Sequence, residues 1–112
     1  MELSEYDMVC LNAAKNLIEK HLDFHHTISE ISKEVGLNEW KLKNGFKQVF
    51  GMSLFEFLTD ARMEKAKSFL TENGKSLKQI AHSTGYKHTS NFITAFKKKY
   101  HQSPADFRKQ IK

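Results

Sequence analysis

Apolar residues recur along this chain at helical intervals, broken by glycine and by short polar residues. From Ser76 to Phe107 the pattern is densest. Leu77, Ile80 and Ala81 stand at i, i+3 and i+4, one face of a helix. Ser76 followed by Gln79 has the form of a capping box and marks the start. Gly85 falls where that helix should stop, since glycine accepts a left-handed cap without steric cost. Beyond it Phe92, Phe96 and Tyr100 recur every four residues. A helix, a glycine turn and a second helix with an apolar stripe make a helix-turn-helix plan.

The same plan occurs earlier in the chain. Shifted by 49 residues, Ile28 falls on Leu77, Ile31 on Ile80, Ser32 on Ala81 and Gly36 on Gly85. With one more residue in the turn, Leu42 falls on Phe92, Phe46 on Phe96, Lys47 on Lys97, Phe50 on Tyr100, Ser53 on Ser103 and Phe57 on Phe107. The chain therefore reads as two copies of one unit.

In order, a first helix is expected from Ser4 to Leu22, with Val9, Ala13 and Leu17 as its main ridge and Leu11, Ala14 and Ile18 widening it. Thr27 with Glu30 is a second capping box, opening a helix through Val35 that Gly36 closes. Asn38 caps the next helix, Glu39 to Phe50, which should bury Leu42, Phe46 and Phe50 or Val49. Gly45 inside it suggests close packing. Ser53 with Glu56 opens the longest helix, Leu54 to about Glu72. Its apolar stripe shifts phase midway, from Leu54, Phe57, Leu58 and Ala61 to Met63, Ala66, Phe69 and Leu70, which suits a connector serving both units. Asn73-Gly74 is a stop, and Ser103-Pro104 restarts a last helix anchored by Phe107 and Ile111. No segment alternates with period two. The expected fold is all-α with seven helices: a first helix-turn-helix subdomain at 1–52, a linker helix at 53–72 and a second subdomain at 73–112.

Composition narrows the function. With 112 residues and nine Phe, the chain has enough apolar bulk for a core. No apolar run reaches membrane-span length, and no signal peptide opens the chain. The single Cys10 excludes an internal disulfide and agrees with a reducing compartment, so a cytoplasmic location is expected. Net charge is +5, but residues 1–35 carry three lysines against seven acids, while residues 36–112 carry fifteen Lys or Arg against six acids. The positive charge thus gathers on the glycine turns and second helices, which points to a polyanion.

Several motifs together now resemble one family. Ile80-Ala81, Gly85-Tyr86, Asn91-Phe92, Phe96-Lys97-Lys98, Ser103-Pro104 and Phe107-Arg108 look like the signature of the AraC/XylS transcription regulators. Phe57-Leu58, Arg62-Met63, Ala66 and Phe69-Leu70 resemble that family's linker helix. Ile31, Gly36, Trp40, Leu42, Phe46-Lys47 and Gly51 resemble its first helix-turn-helix. The resemblance implies a bacterial DNA-binding domain with two recognition helices, 39–50 and 88–100, entering successive major-groove segments of promoter DNA. It also implies RNA polymerase as a partner and, in most members, a separate sensor or dimerisation domain. The start, Met1 to Tyr6, reads either as a cut between domains with an added Met or as the start of a natural short regulator, and the isolated domain is expected to be a monomer.

The residues opposite the core stripes are the candidates for DNA contact. In the first unit Trp40, Lys43 and Asn44 fall on positions that the resemblance makes base-reading. Lysine suits guanine O6/N7, asparagine suits adenine N6/N7, and the indole suits a sugar or a thymine methyl. The family often has Arg at the position of Asn44, which leaves the base preference open. In the second unit His88, Thr89, Ser90, Ile93, Thr94 and Lys97 should face outward; of these His88, Thr89, Ser90 and Thr94 are the base-reading candidates. Thr89, Ser90 and Thr94 have short side chains that make only single hydrogen bonds, so this helix should read weakly and anchor more. Lys47, Lys97, Lys98 and Lys99, with the helix starts at Ser29, Ser53, Ser76 and Ser103, are phosphate candidates.

An enzyme is not expected, because no Gly-rich phosphate loop, Cys pair or framed carboxylate pair occurs. No cofactor is expected either. His21 and His25 have chelating spacing, but no acid or Cys completes a metal site, so a solvated helix end is the simpler reading. Cys10 has no Lys or Arg near it in sequence and reads as a structural thiol. The competing class is a helical interaction module whose basic face binds an acidic protein or RNA.

Overall fold

The computed structural model describes residues 1–72 and 74–110. Among them it forms seven helices and no strand: α1 (Glu5–Lys20), α2 (Ile28–Val35), α3 (Glu39–Phe50), α4 (Leu54–Thr71), α5 (Leu77–Ser83), α6 (Thr89–Tyr100) and α7 (Pro104–Gln110). The all-α expectation holds. Of the residues expected to stop or anchor helices, Asn73 and Ile111 lie outside the described residues.

Capping chemistry sets most of the helix starts. Ser4 Oγ accepts from the Asp7 N–H at 3.1 Å, and the Asp7 carboxylate accepts the Ser4 N–H at 3.0 Å. The same reciprocal pair forms between Ser53 and Glu56 and between Ser76 and Gln79. The box expected at Thr27 is only half made. Thr27 Oγ1 accepts from the Glu30 N–H, but the Glu30 carboxylate takes the Thr27 hydroxyl proton at 2.7 Å instead of the backbone N–H. A hydroxyl donates as well as accepts, and the carboxylate takes that proton.

The chain divides into two compact units, Met1–Leu58 and Thr59–Lys112. In the first, Cys10, Leu11, Ala14 and Ile18 of α1 pack with Ile31, Leu37, Leu42, Phe46, Leu54 and Leu58. The main ridge expected on α1 is wrong. Val9 is 68% exposed, Ala13 is exposed and Leu17 half-buried. Steps of four residues drift by roughly 40° each around a helix, whereas the 3-then-4 spacing of Leu11, Ala14 and Ile18 stays on one face.

In the second unit Met63, Ala66 and Leu70 of α4 pack with Ile80, Ala81, Phe92 and Phe96. Their 3-then-4 spacing repeats that of Leu11, Ala14 and Ile18. The second half of α4 is therefore to its unit what α1 is to the first. Ring geometry repeats as well. Phe46 meets Phe50 at 4.6 Å and 57° and Phe57 at 5.6 Å and 67°. Phe96 meets Tyr100 at 4.6 Å and 54° and Phe107 at 5.7 Å and 65°. Each buried ring contributes about 1.5–3 kcal/mol. Ile93, expected outside, is half-buried against this core, as suits an apolar side chain one position from Phe92.

Candidate nucleic-acid interface

The first candidate surface is α3. Asn38 starts it, its side chain accepting the Lys41 N–H at 2.8 Å, and Gly51 ends it at φ +79°. Leu42, Gly45 and Phe46 are sealed in the core. The opposite face carries Trp40, Lys43, Asn44 and Lys47, all exposed, with Trp40 at 65%. Burial of Trp40 against a neighbouring helix, the plain alternative for an indole, does not occur. Asn44 Nδ2 donates to the Trp40 carbonyl at 2.8 Å, which holds the amide along its own helix.

Two contacts that the sequence did not announce support this helix. The Asp7 carboxylate, almost fully buried, lies 3.1 Å from Lys41 Nζ and joins α1 to α3. The Ser4 backbone N–H, with help from Lys41, holds its pKa below the usual carboxylate range against the opposing effect of burial. Tyr6 Oη donates to the Gly36 carbonyl at 2.6 Å, across the turn that joins α2 to α3. An acid on an otherwise apolar face, and a tyrosine thirty residues from its partner, leave no local pattern to read.

The second candidate surface is α6. Its cap residue is His88, which makes no side-chain capping bond, and its first helical residue is Thr89. Phe92 and Phe96 are sealed. Ser90, Thr94, Lys97 and Lys98 are exposed, as is His88, and Thr89 is half-buried. Thr94 Oγ1 donates back to the Ser90 carbonyl at 3.0 Å. Lys99 does not share the free surface of its neighbours. Its ammonium lies 2.8 Å from Asp60 Oδ1 and 3.1 Å from Glu64 Oε1. Burial opposes that charge, but the two carboxylates outweigh it and push the Lys99 pKa up. The Lys99 and Tyr100 hydrogen bonds hold Glu64 below the usual carboxylate range. Of the expected phosphate contacts, Lys99 is thus the one whose donors are engaged within its own unit.

At the helix starts, the Ser53 N–H is given to Glu56 and the Ser76 N–H to Gln79. Ser103 Oγ accepts from Asp106 N–H at 3.0 Å, and Ser29 lies within the first turn of α2. Near the end of α1, His21 stacks on Phe24 at 4.9 Å, and His26 Nε2 lies 2.8 Å from the His21 carbonyl. Among the described residues no three His, Cys, Asp or Glu come together as a metal site, and no helix is long and apolar enough to cross a membrane. Cys10 is buried.

Comparison with known proteins fits this geometry. A family profile described as a helix-turn-helix domain matches residues 31–110. The HTH-type transcriptional activator Btr of Bacillus subtilis is 36% identical over 76 residues, covering 68% of this chain and 14% of that protein. An HTH-type transcriptional regulator of the same species, YtdP, is 33% identical over 95 residues, covering 85% of this chain and 12% of that protein. The chain thus spans about one-eighth of the length of these relatives. Among solved structures, the C-terminal domain of AraT, a response regulator from Geobacillus stearothermophilus, superposes with a TM-score of 0.87 at 30% identity, over 98% of this chain and 88% of that one. The DNA-binding domain of AdpA, solved in complex with a target DNA, shares the fold with a TM-score of 0.84 at 17% identity, over 89% of this chain and 90% of that one. Two glycine-turned helix pairs with basic outer faces are matched along most of their length by regulators of transcription, and they form a DNA-binding domain: the chain belongs to the AraC-type helix-turn-helix transcription regulators.

Proposed function

We propose that α3 and α6 are the recognition helices and enter successive major-groove segments of promoter DNA. In α3, Trp40, Lys43 and Asn44 read bases, and Lys47 binds phosphate. In α6, His88, Thr89, Ser90 and Thr94 make the base contacts, and Lys97 and Lys98 bind phosphate. The helix starts at Ser53 and Ser103 add phosphate contacts through first-turn backbone N–H groups. One observation carries the reading: Trp40 stands 65% exposed on a helix whose Leu42 and Phe46 are completely sealed. A large aromatic ring held off the core, beside a lysine and an amide, is equipped for a groove and not for packing. The two helices are unequal. Thr89, Ser90 and Thr94 carry short side chains that make single hydrogen bonds, so α6 contributes anchoring more than discrimination.

The rest of the proposal follows from the family. The full regulator would act in the bacterial cytoplasm, contact RNA polymerase at the promoter and carry a sensor or dimerisation domain. The domain by itself would be monomeric. Btr is named an activator, and we extend activation to this chain.

Selection of bound duplexes from a random pool, followed by mobility shifts near physiological salt, tests the core of it. Asn44→Ala is expected to lose preference at one base pair, worth about 1–3 kcal/mol. Lys97→Ala is expected to weaken all duplexes alike and lower the salt slope by about 0.9. Failure to enrich any sequence, or equal loss on every base variant for Asn44→Ala, would count against the assignment.

A further inference from the structure

We propose that Lys99 is a positioning residue: it latches the last turn of α6 to α4 through Asp60 and Glu64, and so sets the pose of the face that reads DNA. The inference rests on α6 being a recognition helix. Lys97, Lys98 and Lys99 are consecutive, so they point about 100° apart around the helix. Only Lys99 is drawn into a network. Its three N–H groups meet three acceptors: Asp60 Oδ1 at 2.8 Å, Glu64 Oε1 at 3.1 Å and the Asp60 carbonyl at 3.4 Å. The same Glu64 oxygen accepts the Tyr100 hydroxyl at 3.0 Å, and Lys67 Nζ stands 5.1 Å from the Tyr100 ring centre.

An isolated surface ion pair contributes little, but a saturated network is directional. The start of α6 has no side-chain cap and its buried contacts through Phe92 and Phe96 are apolar, so the polar, directional contacts at its far end come from the Lys99 network. Two acids beside a helix that approaches DNA also oppose binding by their sign. A role in orientation accounts for their place, and a role in attraction does not.

The test compares variants of the whole chain on two duplexes, one recovered by selection and one of unrelated sequence, across a salt series. Lys97→Ala is the control and should lower the salt slope on both by about 0.9. Lys99→Met keeps the aliphatic stem and removes the charge. It should leave the slope on the unrelated duplex unchanged while reducing the ratio of specific to non-specific affinity several-fold. Lys99→Arg should restore that ratio. The pair D60N and E64Q together should lower the ratio as Lys99→Met does, and adding Lys99→Met to the pair should lower it no further. That combination leaves Lys99 intact and keeps the question open if Lys99→Met fails to fold, as circular dichroism would reveal. A slope loss in Lys99→Met equal to that of Lys97→Ala would make Lys99 a phosphate contact and overturn the proposal. An unchanged ratio in Lys99→Met or in the acid pair would overturn it too. If Lys97→Ala itself leaves the slope unchanged, the fault lies in reading α6 as the DNA-facing helix.

Discussion

Gly45 occupies the middle of α3, where alanine is ordinarily better by about 1 kcal/mol. A Cβ there would stand 3.1 Å from Leu11 Cδ1 and 3.5 Å from both Leu11 Cδ2 and Leu3 Cδ2. Leu11 is fully buried. Overpacking costs roughly 1–3 kcal/mol and should outweigh the propensity gain. Gly45→Ala is therefore expected to lower stability by about 1 kcal/mol net. Urea unfolding checks it, and a raised midpoint would show that Leu11 repacks. At this scale the sequence was legible where a residue breaks a rule in its own helix: glycine inside α3 did imply close packing. It was illegible where the partner is remote. Asp7 finds Lys41, and Lys99 finds Asp60 and Glu64, across 34 to 39 residues of chain, and nothing beside any of them in sequence marks the pairing.

Helix boundaries were well forecast because caps are local. Ser4, Thr27, Asn38 and Ser76 each hold the N–H three residues on, within the reach of a three-residue motif. Which face a helix buries was less secure. On α1 the apolar residues Val9, Ala13 and Leu17 compete with Leu11, Ala14 and Ile18, and the two sets differ only in how closely their spacing keeps to one face. The weakest start is that of α6, where His88 makes no capping bond. His88→Asn is expected to stabilise the protein by about 0.5–1 kcal/mol through a new N-cap. The same change should alter DNA binding if His88 lies at the groove, the exchange of stability for function common at binding sites. Thermal unfolding and mobility shift on the same sample read both effects. A fall in Tm would show that His88 already stabilises this helix end.

Over the whole chain, three acids that fix helices share a pH signature. The Ser4 N–H holds Asp7 below its usual 3.8; the Ser53 N–H does the same for Glu56, and the Lys99 hydrogen bond for Glu64, both usually at 4.5. A depressed folded pKa means that stability is fully present above the usual values and is lost as pH falls through the lowered ones. Unfolding midpoints should therefore stay level from pH 7 to about 5 and fall steeply below about 4. Asp7→Asn should make that fall shallower, and an unchanged acid limb would remove Asp7 from the account. The duplication was visible in the sequence from Ile28 onward, because turn glycines and aromatic stripes align there. It was not visible in α1, which matches the second half of α4 only once the loop after it is allowed a different length. That match makes α7 the counterpart of the first half of α4, with Phe107 against Phe96 as Phe57 is against Phe46. One aromatic arrangement is thus built twice, once on a helix of 18 residues and once on a helix of 7. The molecule thus sets one ring contact on two helices of different described length, under one solvent and one temperature.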